Sequence, residues 1–386
     1  MFSPIDFAIL LLKIGVITLG FALPIGGLLT LYGDRKLSAL IQNRVGPNRA
    51  KVFGIQSSLL SLPQFVADGI KMLFKEDAMP DNADRFWHFM APALALLPAI
   101  TLWAVIPFGD LYCTGTVQVK DYMDVCVGGE QKNFFSIANL DAGLLYVFAI
   151  SSISVYGAAL AGWSTNSKFA LIGGLRSTAQ MISYEVTMGL SLAGAMIIYG
   201  TLNLNEMAQQ QGVLLGGWLP AWGIVYQPVA FFVFFIAMMA ETKRAPFDVP
   251  EGESEIVAGY FTEFSALKFG AIQLSEYVGT IFVGALVATI FFGGWQVPFL
   301  YGDGFHFGSG GVDIAVPYEG VVALRLVAFV AKTLFFVLLQ FMLRWTLPRF
   351  RYDQIMRLGW KIFIPVTLVW LVVVGAWMQT SFNIWP

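Results

Sequence analysis

The sequence predicts an all-α polytopic membrane protein with about eight transmembrane helices and an amphipathic helix on the cytoplasmic side. Of its 386 residues, 57% are hydrophobic and 12% are charged, whereas soluble domains carry about 25% charged residues. Apolar runs long enough to cross about 30 Å of hydrocarbon recur along the whole chain. This composition excludes a soluble enzyme, and a net charge of −2 with no basic stripe excludes a nucleic-acid-binding protein.

Eight of these apolar runs are the predicted spans of a single membrane domain that covers residues 1–386. They lie near residues 6–31, 87–108, 140–162, 179–201, 225–240, 270–294, 319–345 and 361–380. The fifth run is short for a span, and we expect it to continue for a turn at either end. Ser177 or Thr178 is the candidate N-cap residue of the fourth span. No internal repeat is visible, which argues against transporter folds built from inverted repeats.

The distribution of lysine and arginine orients these spans. Of the 23 basic residues, 18 lie in or beside alternate connections, whereas the opposite connections carry only Lys120 and Lys132. By the positive-inside rule, the cytoplasmic connections are 32–86, 163–178, 241–269 and 346–360. Both termini and the loop 109–139 are then outside. The N-terminal segment lacks a basic region and a small-residue cleavage site, so we expect it to begin the first span instead of a removable signal.

Part of the first cytoplasmic connection is amphipathic. Between residues 57 and 77, apolar residues recur at helical spacing, while Asp68, Lys71 and Lys75 form a polar stripe. This pattern is typical of a helix that lies in the plane of the membrane interface. An ordinary surface helix beneath a soluble partner protein would show the same pattern.

The cysteine and histidine content is too low for a typical metal centre. The chain has two of each, whereas iron–sulfur clusters and structural zinc sites usually need about four such ligands. We therefore expect no metal or haem in this chain. Cys113 and Cys126 both lie in the outer loop, where an oxidising compartment would allow a disulfide. Two free thiols remain the alternative.

Five ionisable residues are predicted to lie within spans. Lys13 is in the first, Glu185 in the fourth and Glu276 in the sixth, and the seventh contains Arg325 and Lys332. Charged groups inside a membrane are costly and almost always face the protein interior or a wet cavity. Structural ion pairs between helices would explain any one of them. Acids and bases at several depths favour a path for protons.

An acidic, proline-containing loop at 241–255 follows the apolar fifth span. Pro246 and Pro250 each remove a backbone donor and disfavour a helix at the preceding residue. Irregular backbone at membrane depth is tolerated only against protein or water. Glu251 and Glu255 are one helical turn apart, and neighbouring carboxylates raise each other's pKa. The loop is therefore a candidate for protonation chemistry, and a solvated acidic loop is the alternative.

Five segments of the chain resemble a known family. They are ETKRAPFDVPEGESE (241–255), RSTAQMISYEV (176–186), DRKLSALIQNRVGPNR (34–49), LPQFVADGIKMLFKED (62–77) and TLPRFRYDQIMRLGWK (346–361). They look like the membrane subunit beside the quinone site of respiratory complex I, which is the H subunit of NADH-quinone oxidoreductase and is called subunit 1 in mitochondria. The resemblance covers nearly the whole chain. Subunits of membrane-bound hydrogenases share weaker versions of these motifs.

The resemblance implies a membrane subunit of a proton-pumping NADH:quinone oxidoreductase, a translocase, that forms the quinone chamber and couples quinone reduction to proton translocation. It implies no catalytic residue in this chain. The residues that match the quinone chamber and its interface with the peripheral arm are Arg35, Lys36, Gln42, Arg44, Asn48, Arg49, Asp68, Lys71, Glu241, Arg244, Phe247 and Asp248. The residues that match the family's proton-path carboxylates are Glu185, Glu251, Glu253, Glu255, Glu263 and Glu276.

The resemblance also implies where the redox chemistry takes place. This chain would bind no cofactor of its own, quinone would be the substrate, and FMN and iron–sulfur clusters would belong to partner subunits. The expected partners are the quinone-site subunits of the peripheral arm, adjacent small and antiporter-like membrane subunits, and lipids. The expected location is the bacterial inner membrane.

Two positions depart from the family's pattern. Asp34 stands where the family commonly has Glu, and the outer loop 109–139 is longer than expected, which suggests a lineage-specific cap. Two other functions are also compatible with these residues. A hydrogenase anchor needs no quinone, and an ion-coupled secondary transporter would favour inverted repeats and helices broken at the midplane, neither of which is visible.

Overall fold

A computed structural model of the chain describes residues 10–17, 24, 26, 32–47, 62–120, 123–215, 218–306 and 314–380. Within these residues, six helices are long and apolar enough to cross a membrane, and a seventh apolar helix is shorter. Most of the first predicted span lies outside the described residues, although residues 10–14 are α-helical. The all-α polytopic membrane fold is confirmed, and the total of eight spans stays a prediction.

Nine principal helices are described. They are α1 (Leu62–Phe74), α2 (Arg85–Thr101), α3 (Gly143–Ser164), α4 (Lys168–Tyr199), α5 (Leu204–Gln210), α6 (Pro228–Glu241), α7 (Ala266–Phe291), α8 (Tyr318–Thr346) and α9 (Ile364–Thr380). Shorter helical segments are Tyr32–Leu37, Ser38–Ile41, Leu102–Val105, Gly223–Tyr226, Glu253–Ile256, Gly259–Phe261, Tyr352–Arg357 and Leu358–Phe363. The last two continue into α9, so helix already occupies much of the connection expected at 346–360.

Helix α4 begins about three turns earlier than expected. Its N-cap residue is Ser167, so the expectation of an N-cap at Ser177 or Thr178 is wrong. The glycines ahead of these residues allow close packing and do not end the helix. A Cβ at Gly173 would lie 2.7 Å from the Cα of Gly259, a distance that only a glycine permits. The connection expected at 163–178 is thereby reduced to a short turn.

Short strands occupy the connections predicted to be outside. They are β1 (Tyr112–Cys113), β2 (Thr116–Lys120), β3 (Met123–Val127), β4 (Gln131–Lys132), β5 (Leu214–Leu215), β6 (Leu219–Pro220), β7 (Leu300–Tyr301), β8 (Gly304–Phe305) and β9 (Ile314–Ala315). All pairings are antiparallel: β1 with β4, β2 with β3, β5 with β6, and β8 with both β7 and β9. A disulfide between Cys113 and Cys126 ties β1 to β3.

The core lies around α6 and α7. Helix α7 packs against α2, α6 and α8, while α4 packs against α3, α6 and α9. From Tyr277 to Phe291 nearly every side chain of α7 is buried, whereas α9 exposes apolar residues such as Val369 and Val372, as expected for a lipid-facing helix. This packing places Glu241, at the end of α6, and Glu276 of α7 on the lining of one cavity.

Candidate functional site

The loop after α6 is irregular and folded inwards. The Ala245–Pro246 peptide bond is cis. The buried amide of Gln180 on α4 donates from Nε2 to the carbonyl oxygens of Ala240 and Phe247, each at 2.8 Å. The Gln180 side chain thus links the first residues of the loop to residues further along it. Because irregular backbone must satisfy its polar groups against protein or water, this contact explains how the loop is buried beside apolar helices.

Both basic residues of the loop are buried. The side chain of Lys243 lies 5.5 Å from the ring centre of Tyr260, and the guanidinium of Arg244 lies 3.5 Å from that of Tyr277. Burial lowers the pKa of Lys243, and the charges of Glu276, Glu241 and Glu251 oppose this effect. Burial also lowers the pKa of Arg244, and the Asp34 carboxylate acts in the opposite direction. The loop therefore holds two cations in the interior next to carboxylates.

Two carboxylates of this group, Glu241 and Glu276, have half-buried side chains and line one cavity between the helices. Glu276 accepts a hydrogen bond from the Tyr260 hydroxyl at 3.4 Å. Neither carboxylate oxygen of Glu241 has a hydrogen-bond partner within the described part of the chain. An unpaired buried carboxylate is costly, so Glu241 needs either a proton or water. Glu185 is close enough to act electrostatically on Glu241.

A cavity of about 80 Å³ meets these groups between α2, α3, α4, α6 and α7. Its lining includes Glu241, Lys243 and Glu276, together with the hydroxyl-bearing residues Ser151, Ser154, Thr242 and Ser275. Its remaining lining is largely apolar. This volume is sufficient for several water molecules. Water held between carboxylates, a lysine and hydroxyls can carry protons between them.

Ion pairs attach two acidic residues of the 241–255 segment, Asp248 and Glu255, to neighbouring parts of the chain. Arg349 donates to the backbone carbonyl of Asp248, from Nε at 2.8 Å and also from Nη2, and Nη2 lies 2.9 Å from the Asp248 carboxylate. Burial raises the pKa of Asp248 to about 7, with Glu251 adding to the rise and Arg349 opposing it. Glu255 pairs with Arg176 of α4 at 2.7 Å.

Asp34 lies between two arginines. Its carboxylate is 2.5 Å from Arg344 of α8 and 3.6 Å from Arg244 of the loop. Because Arg244 is almost fully buried, Asp34 supplies a counter-charge that it needs. Although Asp34 is shorter than the glutamate common in the family, it therefore still holds the segment 32–37 against the loop.

Four other residues matched to the quinone chamber are exposed, namely Arg35, Gln42, Arg44 and Lys71. Arg35 pairs with Asp68 of α1 at 2.5 Å, but Arg35 is half exposed, so this pair contributes little stability. Arg44 donates to Gln42 at 2.7 Å, and both are exposed. Lys71 is exposed and Lys36 is half-buried. Asn48 and Arg49 lie outside the described residues.

The carboxylates assigned to the proton path separate into two groups. Glu276 lines the cavity together with Glu241, which was matched to the quinone chamber, and Glu276 is influenced electrostatically by Glu251 of the proton-path set and by Asp248 of the chamber set. Glu255, in contrast, is half exposed in its pair with Arg176. Glu263 is half-buried and does not line the cavity. The side chain of Glu253 lies outside the described residues.

Several residues at the site are not identifiable from the motifs alone. In the sequence Lys243 is one more cytoplasmic charge, yet in the structure it lies between Glu241 and Glu276. Arg349, Tyr260 and the serines of α3 carry no signal of their own in the sequence. For Lys243 the sequence does contain an indication of burial. Its loop lies beside apolar helices, so a lysine between Glu241 and Arg244 has few positions that are exposed to water.

The ionisable residues in the half of the bundle predicted to be outer have other partners. Arg325 lies 3.4 Å from Asp110 and pairs also with Asp124 of β3. Burial raises the pKa of Asp110, while Arg325 opposes the rise. Lys13 donates to backbone carbonyls of the loop 109–139, those of Asn133 and Ser136. Lys332 donates to backbone carbonyls just after α7. None of these basic residues lines the cavity.

Comparison with known proteins identifies a protein family that matches this chain. The family model described as NADH dehydrogenase matches residues 12–375. Three similar proteins are each named as the H subunit of an NADH-quinone oxidoreductase. That of Leptospira biflexa is 42% identical over 363 residues, covering 93% of each chain. That of Polaromonas naphthalenivorans is 43% identical over 369 residues, covering 92% of this chain and 88% of the relative. That of Cytophaga hutchinsonii is 37% identical over 374 residues, covering 97% and 98%.

These names favour neither a hydrogenase anchor nor a secondary transporter. The matched region contains all of the cavity-lining residues and the loop after α6. The chain therefore belongs to the family formed by the H subunits of NADH-quinone oxidoreductases.

Proposed function

We propose that this chain is the membrane subunit of a proton-pumping NADH:quinone oxidoreductase, where it forms the quinone chamber and couples quinone reduction to proton translocation. One observation carries the coupling role. The loop after α6 places Lys243 between the carboxylates of Glu241 and Glu276, at a cavity with room for water. This cluster of one lysine and two carboxylates can change its protonation when a charge changes elsewhere in the same loop.

Quinone reduction provides this change of charge. A quinone takes up two electrons and two protons to become a quinol, and in this proposal the electrons come from NADH through FMN and iron–sulfur clusters in partner subunits. Asp248, with a pKa raised to about 7 by burial, can give up or take up a proton near neutral pH. Its charge then acts on Glu276. The ion pair with Arg349 would strengthen as Asp248 loses its proton.

The proposed partners are peripheral-arm subunits on the cytoplasmic side and small and antiporter-like subunits in the membrane. Two features support them. Arg35, Arg44 and Lys71 present exposed charge beside the site on the predicted cytoplasmic side, and Glu185 is only half-buried within α4. A half-buried carboxylate within a span needs a partner other than lipid.

We also propose a bacterial inner-membrane location with both termini outside. The disulfide between Cys113 and Cys126 supports this orientation, because disulfides persist in oxidising compartments. The basic residues of alternate connections support it independently.

Replacing Glu241 or Glu255 with Gln in the assembled complex tests the coupling role. Each neutral variant should lower NADH:quinone turnover and proton pumping, with the larger effect at Glu241 because its carboxylate oxygens are buried at the cavity. Glu206→Gln is the matched control, since Glu206 pairs with Thr201 in a connection predicted to be outside. Unchanged turnover and proton-to-electron ratio in both test variants would refute the proposal.

A further inference from the structure

A second cavity, of about 380 Å³, lies where three helices reach the predicted cytoplasmic side. Its walls come from the connection before α2, the last turn of α3 and the first residues of α4. It shares no lining residue with the cavity at Glu241, and it lies outside the five segments that resemble the family. Small-molecule sites occupy roughly 300–1,000 Å³. The cavity therefore has room for a ligand that the proposed function does not use.

The walls of this cavity are fixed to one another. The backbone N–H of Asp84 donates to the carbonyl oxygen of Ser164 at 2.9 Å. On the opposite side, a Cβ at Gly162 would lie 2.6 Å from the carbonyl oxygen of Ala170, so a glycine is needed for this close approach of α3 to α4. Packing within the chain thus forms the cavity, and no ligand is needed to hold it open.

The cavity contains one side chain of each charge. Lys168 is exposed and forms no ion pair with any residue that the structure describes. Asp84 is the N-cap residue of α2, and both of its side-chain hydrogen bonds fall on Oδ1. Its Oδ2 is therefore available to a cationic group. Further polar side chains in the lining are those of Asn82, Asn166 and Ser167.

Apolar side chains continue from the cavity along the outside of two spans. Trp163 of α3 and Leu171 of α4 line the cavity and are 56% and 42% exposed. Tyr156 lies about two turns from Trp163, and Leu175 about one turn from Leu171, so each pair shares a helix face. Both of these residues are exposed as well. Tryptophan is enriched at the level of the lipid head groups. The cavity thus adjoins an apolar surface that faces the membrane.

We propose that this cavity binds the head group of a phospholipid that carries an amine as well as a phosphate. Lys168 pairs with the phosphate and Asp84 with the ammonium group, while the acyl chains lie along α3 and α4. Charge complementarity selects this occupant, because a head group without an amine would leave Asp84 beside an anion. A soluble phosphate ester would leave Trp163 and Leu171 uncovered. The inference is independent of the proposed function, since it involves neither quinone nor proton transfer.

The test labels the purified complex with phosphatidylethanolamine that carries a photoreactive group in one acyl chain. Loosely bound lipid is first removed with detergent, and mass spectrometry then locates the labelled peptides. Label should appear on peptides that contain Trp163, Leu171 or Leu175. Unlabelled phosphatidylethanolamine should compete several-fold better than phosphatidylglycerol, which has no amine, and than glycerophosphoethanolamine, which has no acyl chains.

Three outcomes of this competition would overturn the proposal. Equal competition by phosphatidylglycerol would indicate lipid that coats the helices without selecting a head group. Equal competition by glycerophosphoethanolamine would indicate a site for a soluble phosphate ester. The absence of label from these peptides would indicate that a segment of another subunit fills the cavity.

Charge variants of the assembled complex give a second readout. Lys168→Met removes the cation, and Asp84→Asn removes the carboxylate but keeps a good helix cap. Each should lower the labelling of these peptides several-fold. The matched controls are Lys132→Met and Asp141→Asn, which change exposed residues on the side predicted to be outside. Labelling at control level in both test variants would refute the assigned contacts, and the competition with the wild-type complex decides the matter if a variant does not assemble.

Discussion

Gln180 should control how often the loop after α6 opens. Its amide donates to the carbonyls of Ala240 and Phe247, each at 2.8 Å. In Gln180→Met both hydrogen bonds are lost, although each carbonyl keeps a backbone donor, from Lys243 at 3.2 Å and Val249 at 3.0 Å. The cost is therefore that of two ordinary hydrogen bonds, about 1 kcal/mol each. A total of about 2 kcal/mol corresponds to roughly 30-fold more frequent opening.

Hydrogen exchange of the purified complex measures this opening. Amides of residues 242–249 should exchange roughly 30-fold faster in Gln180→Met, if exchange follows the opening equilibrium. Quinone reductase turnover should fall as well. Gln227→Met is the matched control, because Gln227 is equally buried but its amide makes no hydrogen bond within the described residues. It should leave exchange in the loop unchanged. Equal exchange in the two variants would refute the reasoning.

Three further predictions follow from other contacts. Burial raises the pKa of Asp248 from its ordinary 3.8 to about 7, so the native loop binds a proton that the unfolded chain releases, and its stability should fall as pH rises from about 4 to about 7. Asp248→Asn should remove this dependence, which hydrogen exchange at several pH values would reveal; an unchanged slope would contradict it. Asp34→Asn should destabilise the complex by about 3 kcal/mol, because it leaves Arg244 buried without that counter-charge, whereas Asp34→Glu should lower the thermal midpoint far less; equal midpoints would argue against the pairing. Cys113 and Cys126 should resist alkylation until a reductant is added, and labelling of the untreated protein would show that the disulfide does not form.

The amino-acid sequence by itself was sufficient for the fold class and the family. Both depend on properties that are local in the chain, namely hydrophobic length and ordered motifs such as those at 34–49 and 241–255. The predicted start of α4 was wrong for a related reason. A glycine pair weakens a helix locally, and the gain from close packing of Gly173 against Gly259 cannot be read from neighbouring residues.

Only the tertiary structure decided which carboxylates face one another. Glu241 and Glu255 belong to the same acidic segment, yet the first lines a cavity without a hydrogen-bond partner among the described residues, and the second is half exposed beside Arg176. The distinction arises from contacts between residues far apart in the chain, such as Gln180 with Phe247. Burial and charge pairing depend on these long-range contacts. Composition and spacing therefore showed that acids are present, and packing determined which of them line the cavity beside a buried lysine.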